Sequence, residues 1–316
     1  MNKSTRSFAV ALAVCFATTF AHATLYTWTG GTDNNWANTA NWLGGTKPAV
    51  DANGSVYNST NTITIKNGTF NPVVNVPKFA DATHTLTAGS PRFAVESGAS
   101  LSIRGYTETN ITMLAATGVQ TTVGSGGSLT LSSGKHMSFA RNTGTQTHNI
   151  NGGTFNLNAA EWLYMGYQAG CLSTVNLDGG TFNTTATIVA GTRGNTGDFS
   201  AGFSLVTLTN GSHFNAAGST LRYMTSTSGD RTLVFDIQDV NSDITFKYGY
   251  DFANFAAVTN GFGTYFKSST LGNNKLTAKD NGNSTVTITA IPEPATIGML
   301  GLGALVTLLI RRHLRA

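Results

Sequence analysis

The chain has 316 residues and a formal net charge of +4, with only 11% of its residues charged. Five of the 19 basic residues and one of the 15 acidic residues lie in the two terminal segments, which leaves 14 of each for residues 24–291. A neutral body of this kind lacks the basic footprint of a nucleic-acid-binding protein, so we expect no nucleic-acid partner.

The first 23 residues have the form of a secretory signal peptide. Lys3 and Arg6 precede an apolar run from Phe8 to Phe20, and the segment ends in Ala21-His22-Ala23. A basic start, a short apolar run and a small-x-small site are the three parts of such a signal. We therefore predict cleavage after Ala23 and export through the Sec machinery.

Residues 24–60 contain three tryptophans, Trp28, Trp36 and Trp42, within 15 residues. Such a cluster suits a carbohydrate platform, and it equally suits a cap over the end of a repetitive β-structure, because terminal repeats must cover an apolar end. We favour the cap. The pattern Trp-x-Gly-Gly followed by Asn-Trp resembles the start of exported bacterial proteins with autotransporter-like β-repeats.

One pattern recurs through residues 61–229. A run of alternating Thr, Val, Ile or Leu meets a Gly-rich turn, and a second alternating run follows. The turn glycines aligned on this pattern are Gly68, Gly98, Gly127, Gly153, Gly180 and Gly211, which are 30, 29, 26, 27 and 31 residues apart. A near-constant interval marks one structural repeat, and period-2 alternation marks half-buried strands.

We predict an all-β protein, a right-handed parallel β-helix, in which each turn places its glycine at the same corner. The glycines supply the φ > 0 positions of tight corners, and Asn, Ser and Thr form ladders up the stack. The Phe or Leu two or three residues after each glycine then lines the interior. The alternative is a β-sandwich or meander in which each glycine turn is a hairpin.

In residues 230–290 the glycine repeat stops, and we interpret this segment as a C-terminal β cap that protects the last open edge. Asp236, Asp239 and Asp243 lie close together in sequence, as Ca²⁺ ligands do. Their strand parity differs and no Ca²⁺-binding loop consensus is present, so we predict structural acids and no metal site.

No catalytic constellation stands out in the sequence. The histidines lack zinc-ligand spacing, the glutamates before the tail are scattered, and the one cysteine after Ala23, Cys171, is expected to be a buried apolar side chain. We predict that the protein is not an enzyme and needs no cofactor.

The last segment, residues 291–316, combines three features. Pro292 and Pro294 flank Glu293 and hold the chain extended. The uncharged residues 295–310 would form a transmembrane helix of about 24 Å, slightly short of a bilayer core of roughly 30 Å. A basic tail follows and is expected to stay in the cytoplasm. It consists of Arg311, Arg312 and Arg315.

This order of motif, apolar span and basic tail resembles the sorting signal of the bacterial PEP-CTERM family. The resemblance covers only these residues. It implies that the membrane enzyme exosortase removes the tail at or near Pro292-Glu293-Pro294. It also implies that the protein passes transiently through the inner membrane to the cell surface or extracellular matrix.

Two function classes follow. The first is a structural or adhesive protein of the cell surface or matrix, with exopolysaccharide as a candidate ligand. The second is a carbohydrate-active enzyme on a β-helix, such as a polysaccharide lyase, which needs basic side chains aligned on adjacent turns. The candidates for such an alignment are Arg104, Lys135, Arg141, Arg193 and Arg222. Their unequal distances from the turn glycines favour the first class.

Overall fold

A computed structural model of the protein describes residues 25–48, 62–69, 73–75, 85–89, 92–104, 110–114, 118–133, 136–139, 144–159, 161–166, 171–190, 202–223, 233–272 and 275–291. Strands are numbered along the chain. Sheet 1 has nine strands in the order β1 (Leu25–Trp28), β2 (Thr62–Ile65), β5 (Arg92–Val95), β8 (Gly118–Val123), β11 (Gly144–Asn151), β14 (Cys171–Asp178), β17 (Phe203–Thr209), β19 (Leu233–Ile237) and β21 (Phe266–Lys267).

The other 14 described strands form one hydrogen-bonded sheet that bends into two faces. Sheet 2 is the face made by β3 (Val73–Asn75), β6 (Ser100–Arg104), β9 (Ser128–Ser133), β12 (Thr154–Ala159), β15 (Thr181–Thr184), the start of β18 (His213–Tyr223), β20 (Asp243–Lys247), β22 (Leu276–Asp280) and β23 (Thr285–Ala290). Sheet 3 is the face made by β4 (Thr85–Gly89), β7 (Asn110–Leu114), β10 (His136–Phe139), β13 (Trp162–Met165), β16 (Thr187–Ala190) and the end of β18.

Strands of successive coils pair in parallel, so the chain winds as a β-solenoid of about 5 turns. Each full coil contributes one strand to each sheet. The register of sheet 2 aligns Ser100, Ser128, Thr154, Thr181, His213 and Asp243, with intervals of 28, 26, 27, 32 and 30 residues. The predicted solenoid is therefore confirmed over the sandwich alternative, and sheet 3 adds a third strand to the repeat that the sequence pattern had not indicated.

At the corner between sheets 1 and 2, the glycines that were aligned from the sequence do not all occupy equivalent positions. In register, the residue two positions before five sheet 2 strands (β6, β9, β12, β15 and β18) is a glycine with positive φ: Gly98, Gly126, Gly152, Gly179 and Gly211, with φ from 65° to 73°. Gly127, Gly153 and Gly180 occupy the next position instead. There a Cβ would lie within 2.7 Å of a backbone oxygen of a neighbouring coil. The first glycine of each pair allows the turn, and the second allows close stacking.

The interior is a continuous apolar column. The buried residues at one sheet 2 position are Leu101, Leu129, Phe155, Phe182, Phe214 and Ile244. Phe182 and Phe214 stack with ring centroids 4.6 Å apart, and Phe155 meets Phe182 edge to face at 5.7 Å. The predicted interior stack is confirmed for these positions, whereas Phe70 lies outside the described residues. Cys171 is buried, as expected.

The three N-terminal tryptophans pack into one buried cluster. Trp36 and Trp42 meet edge to face at 4.6 Å, and Trp28 contacts both rings. All three are at most 5% exposed, so their ring faces are covered by one another and by the first coil. Buried Asn41 ties the loop together, since its side chain accepts hydrogen bonds from the backbone of Thr32 and Asp33. This burial favours the cap interpretation, because a carbohydrate platform needs exposed ring faces.

At the other end, parallel winding continues past residue 230. Strands β19 and β20 pair in parallel with β17 and β18, and the chain becomes antiparallel only at the hairpin β22–β23. A short helix, α1 (Phe255–Asn260), lies between these parts, with Asn254 as its N-cap. The hairpin and helix close the last coil, so the β cap begins later than the glycine pattern indicated.

None of the helices among the described residues is long and apolar enough to cross a bilayer. The signal peptide with its cleavage after Ala23, the motif from Pro292, the span 295–310 and the basic tail all lie outside the described residues.

Candidate functional site

The last strand of the described fold ends directly before the sorting segment. Strand β23 lies between β20 and β22, and its last residue, Ala290, is buried. The next residue, Ile291, is 39% exposed, and its N–H donates to the carbonyl of Lys275. The chain therefore leaves the fold at the surface immediately before Pro292, with no long linker between the C-terminal cap and the motif.

The outer face of sheet 2 carries a ladder of uncharged polar side chains. The amide of Asn183 donates to Asn156 at 2.9 Å, and the amide of Asn215 donates to Asn183 at 3.3 Å. Asn156 in turn donates to Thr130. Because these side chains repeat once per coil, they are spaced by the interstrand distance of about 4.8 Å along the solenoid axis. We call this row the Asn ladder.

A second outer row runs beside the Asn ladder and consists of Ser128, Thr154 and Thr181, followed by His213 and Asp243. The Nδ1 atom of His213 lies 2.7 Å from the carboxylate of Asp243, and both side chains are partly exposed. Among the described residues of these two rows, His213 and Asp243 are the ones with ionisable side chains. The other side chains of these two rows carry hydroxyl or amide groups.

The outer face of sheet 3 is aromatic. His136 stacks on Trp162 with centroids 5.2 Å apart, Trp162 meets Tyr164 edge to face, and Glu161 lies 3.3 Å from His136. One face of the Trp162 ring is thus covered by the His136 ring, and the side chain is partly exposed. Closer to the C-terminal end, Arg222 lies on the same face.

The three acids considered for Ca²⁺ are separated by the fold. Asp236 accepts hydrogen bonds from the backbone and hydroxyl of Ser269, and Asp239 accepts from Ser242. Asp243 pairs with His213 on sheet 2. Each carboxylate has a separate structural partner, and no metal-binding group of His, Cys, Asp or Glu exists among the described residues.

The basic residues considered for lyase chemistry do not share a face where the structure describes them. Arg104 ends β6 in sheet 2, whereas Arg222 lies in the part of β18 that pairs with sheet 3. Lys135, Arg141 and Arg193 lie outside the described residues. The described part of the chain therefore gives no aligned row of basic side chains.

An imidazole, that of His148, is buried inside the solenoid, and sequence reasoning missed it. His148 is 0% exposed, its ring stacks on Phe139 at 4.5 Å, and neither ring nitrogen has a hydrogen-bond partner. Burial lowers the pKa of His148 to about 3, because an apolar interior disfavours the imidazolium. The strict alternation of β11 was the available signal, since His148 shares parity with buried Ile150.

Residues 290–313 match the family described as the PEP-CTERM protein-sorting motif. No curated protein and no solved structure matches the chain. The resemblance to autotransporter-like repeats therefore stays a prediction. The sorting motif implies export, processing by exosortase and delivery to the cell surface. The chain thus combines a β-solenoid with a C-terminal match to the PEP-CTERM sorting motif, and this match supports a PEP-CTERM protein.

Proposed function

We propose that the mature protein is a non-enzymatic structural or adhesive rod of the cell surface or extracellular matrix, and that it binds polysaccharide along sheet 2. In this proposal the Sec machinery exports the precursor, the span 295–310 holds it transiently in the inner membrane, and exosortase then removes the tail. The Asn ladder is the observation that carries the polysaccharide part.

Its geometry supports an extended glycan as the ligand. Side-chain amides and hydroxyls both donate and accept hydrogen bonds, as sugar hydroxyls do. The ladder repeats at about 4.8 Å, which is close to the length of one pyranose ring. A glycan lying along the solenoid axis therefore meets an equivalent set of polar groups at each sugar.

The sorting half of the proposal is tested by intact mass and cell fractionation in hosts with and without exosortase. We expect loss of the residues after the motif, and surface release, only when the enzyme is present. Glu293→Ala should retain the tail, whereas Lys279→Ala, an exposed change in the adjacent cap, should be processed normally. A full-length protein in the inner membrane of both hosts would contradict this half.

The polysaccharide half is tested by co-sedimentation of the released protein with insoluble matrix polysaccharide from the producing cells. The double variant Thr181→Arg/Asn183→Arg places bulk on the Asn ladder and should lose binding. Thr174→Arg, on the outer side of sheet 1, is the matched control and should bind normally. Equal binding by both variants would refute a role for sheet 2. Release of unsaturated uronate ends from the polysaccharide would instead support the lyase alternative.

A further inference from the structure

A tight turn at the C-terminal end of the solenoid displays one tyrosine. Gly249 and Phe252 exchange two backbone hydrogen bonds, of 3.1 and 3.0 Å, so that Tyr250 and Asp251 form the tip of the turn. The backbone of Tyr250 has φ = 47°, which is rare for a bulky residue. Its side chain is 57% exposed. Neither local backbone preference nor apolar burial explains why tyrosine occupies this position.

The position of the turn brings Tyr250 onto the outer face of sheet 3. A Cβ at Gly249 would lie 2.7 Å from the Cγ2 atom of Thr220 in β18, so the turn packs closely on that strand. The guanidinium carbon of Arg222 lies 4.9 Å from the centroid of the Tyr250 ring. One ring face is therefore covered by a cation, and the ring stays in a fixed orientation.

The guanidinium has unused binding capacity. Among the described residues Arg222 forms no ion pair with a carboxylate, and stacking on a ring leaves the in-plane N–H donors of arginine available. Lys247 is exposed and pairs in register with Thr220, so it adds positive charge beside this end of sheet 3. Asp251 at the turn tip keeps the net charge small.

We propose that Tyr250, Arg222 and Lys247 form a subsite for an acidic sugar residue, a uronate, of an extracellular polysaccharide. The open part of the Tyr250 ring contacts the apolar C–H surface of the pyranose. The planar fork of Arg222 binds the carboxylate through two parallel hydrogen bonds, which is the geometry that arginine favours over lysine. This inference rests on the proposed polysaccharide-binding function and adds a second, chemically distinct contact to it.

The surrounding surface suits a polymer more than a free sugar. From the subsite, the hydroxyls of Thr220 and Thr187, which lie 3.5 Å apart, lead along the axis to partly exposed Trp162. These side chains occupy neighbouring coils, so each step is about 4.8 Å. A chain bound by its uronate at Tyr250 meets hydroxyls and then Trp162 along the next coils.

The experiment uses the mature protein released from the exosortase-positive host and measures binding by isothermal titration calorimetry. The probes are oligogalacturonate, the uncharged galactan with the related sugar skeleton, and dextran sulfate as a polyanion without uronates. The variants are Arg222→Gln, Tyr250→Gly and Tyr250→Phe. Arg92→Gln removes an exposed arginine from sheet 1 and is the matched charge control.

We expect the wild-type protein to prefer oligogalacturonate over galactan and dextran sulfate. Arg222→Gln and Tyr250→Gly should weaken oligogalacturonate binding by about tenfold or more, whereas Tyr250→Phe and Arg92→Gln should change it by less than about twofold. Tyr250→Gly removes the ring at a position where glycine relieves backbone strain. A loss of binding in that variant is therefore not a loss of folding.

The contrary outcomes separate this inference from the proposed function. Binding of polysaccharide that is unchanged in Arg222→Gln and Tyr250→Gly overturns the subsite and leaves the surface-rod proposal standing. Equal losses in Arg222→Gln and Arg92→Gln, or equal affinity for dextran sulfate, reduce the effect to general charge and also overturn it. A wild-type protein that binds neither these glycans nor the matrix polysaccharide overturns both proposals.

Discussion

The buried imidazole of His148 makes the solenoid sensitive to mild acid, and replacing it with leucine removes that sensitivity. His148 lies in an interior row between Thr121 and Val175 of the neighbouring coils, with the rings of Phe139 and Phe155 beside it. Neither of its nitrogens has a hydrogen-bond partner. No titratable or charged side chain among these neighbours stabilises an imidazolium.

The sign of the effect follows from the two pKa values. An unfolded chain binds a proton at His148 below its ordinary pKa of 6.5, whereas the folded protein binds it only near pH 3. Between these values the unfolded state holds more protons, so the free energy of unfolding falls as the pH falls. Each pH unit contributes about 1.4 kcal/mol. The protein should therefore lose about 2 kcal/mol between pH 6.5 and pH 5 through this residue.

His148→Leu keeps a similar side-chain volume and removes both unpaired nitrogens. We expect the variant to be more stable than wild type by about 1–3 kcal/mol at pH 7.5, because an unsatisfied buried polar group is eliminated. We expect this advantage to grow by about 2 kcal/mol at pH 5. Guanidinium denaturation followed by tryptophan fluorescence at pH 7.5, 6 and 5 measures both quantities.

The comparison between variants isolates His148 from the carboxylates that also respond to acid. Val175→Leu changes the same interior row without changing a titratable group, so its pH dependence should equal that of wild type. If His148→Leu and wild type lose stability in parallel between pH 7.5 and pH 5, the imidazole is not buried and neutral as described, and the reasoning fails.

Three further predictions concern the solenoid itself. Gly153→Ala should lower the free energy of unfolding by about 1–3 kcal/mol, because its Cβ would lie 2.5 Å from a backbone oxygen of the preceding coil. Gly218→Ala is the control and should be neutral, because the space around Gly218 is open. Equal thermal stability of the two variants would contradict the role of Gly153 in close stacking. Phe182→Ala should lower the free energy of unfolding, measured by chemical denaturation, by about 3–5 kcal/mol, because the ring is fully buried in the aromatic column. A loss below about 1 kcal/mol would argue against that column. Asn183→Ala should lower the free energy of unfolding by about 1–2 kcal/mol, since two hydrogen bonds of the Asn ladder are lost. Thr185→Ala, at an exposed position, should leave the midpoint of thermal unfolding unchanged. Similar midpoints for both variants would show that the Asn ladder adds no stability.

Much of the architecture was readable from local pattern. Period-2 alternation identified which residues of each strand face inward, so the column from Leu101 to Phe214 was predicted from spacing alone. The three tryptophans were predicted to form a cap because a stack of coils has an apolar end to cover, and the structure buries all three. The sorting signal needed no folding argument, since its motif, span and tail are contiguous in the chain.

Where two glycines are adjacent, the sequence pattern was ambiguous, and three of the turn glycines were aligned one position too late. In a Gly-Gly pair either residue tolerates positive φ, so sequence could not decide that Gly152 makes the turn and Gly153 the close contact. That choice depends on a carbonyl of the preceding coil. Likewise the repeat seemed to end at residue 230 because the corner before Asp243 has no glycine, although the parallel pairing continues there.

The sequence by itself determined the strand content, the inward face of most strands and the address at the end of the chain, because these depend on neighbours within a few residues. Only the tertiary structure decided which side chains meet across coils. Tyr250 and Arg222 are 28 positions apart, and His148 meets Phe139 across the interior from a different sheet. Such contacts are set by how three sheets close around one core, and that closure has no signature in local periodicity.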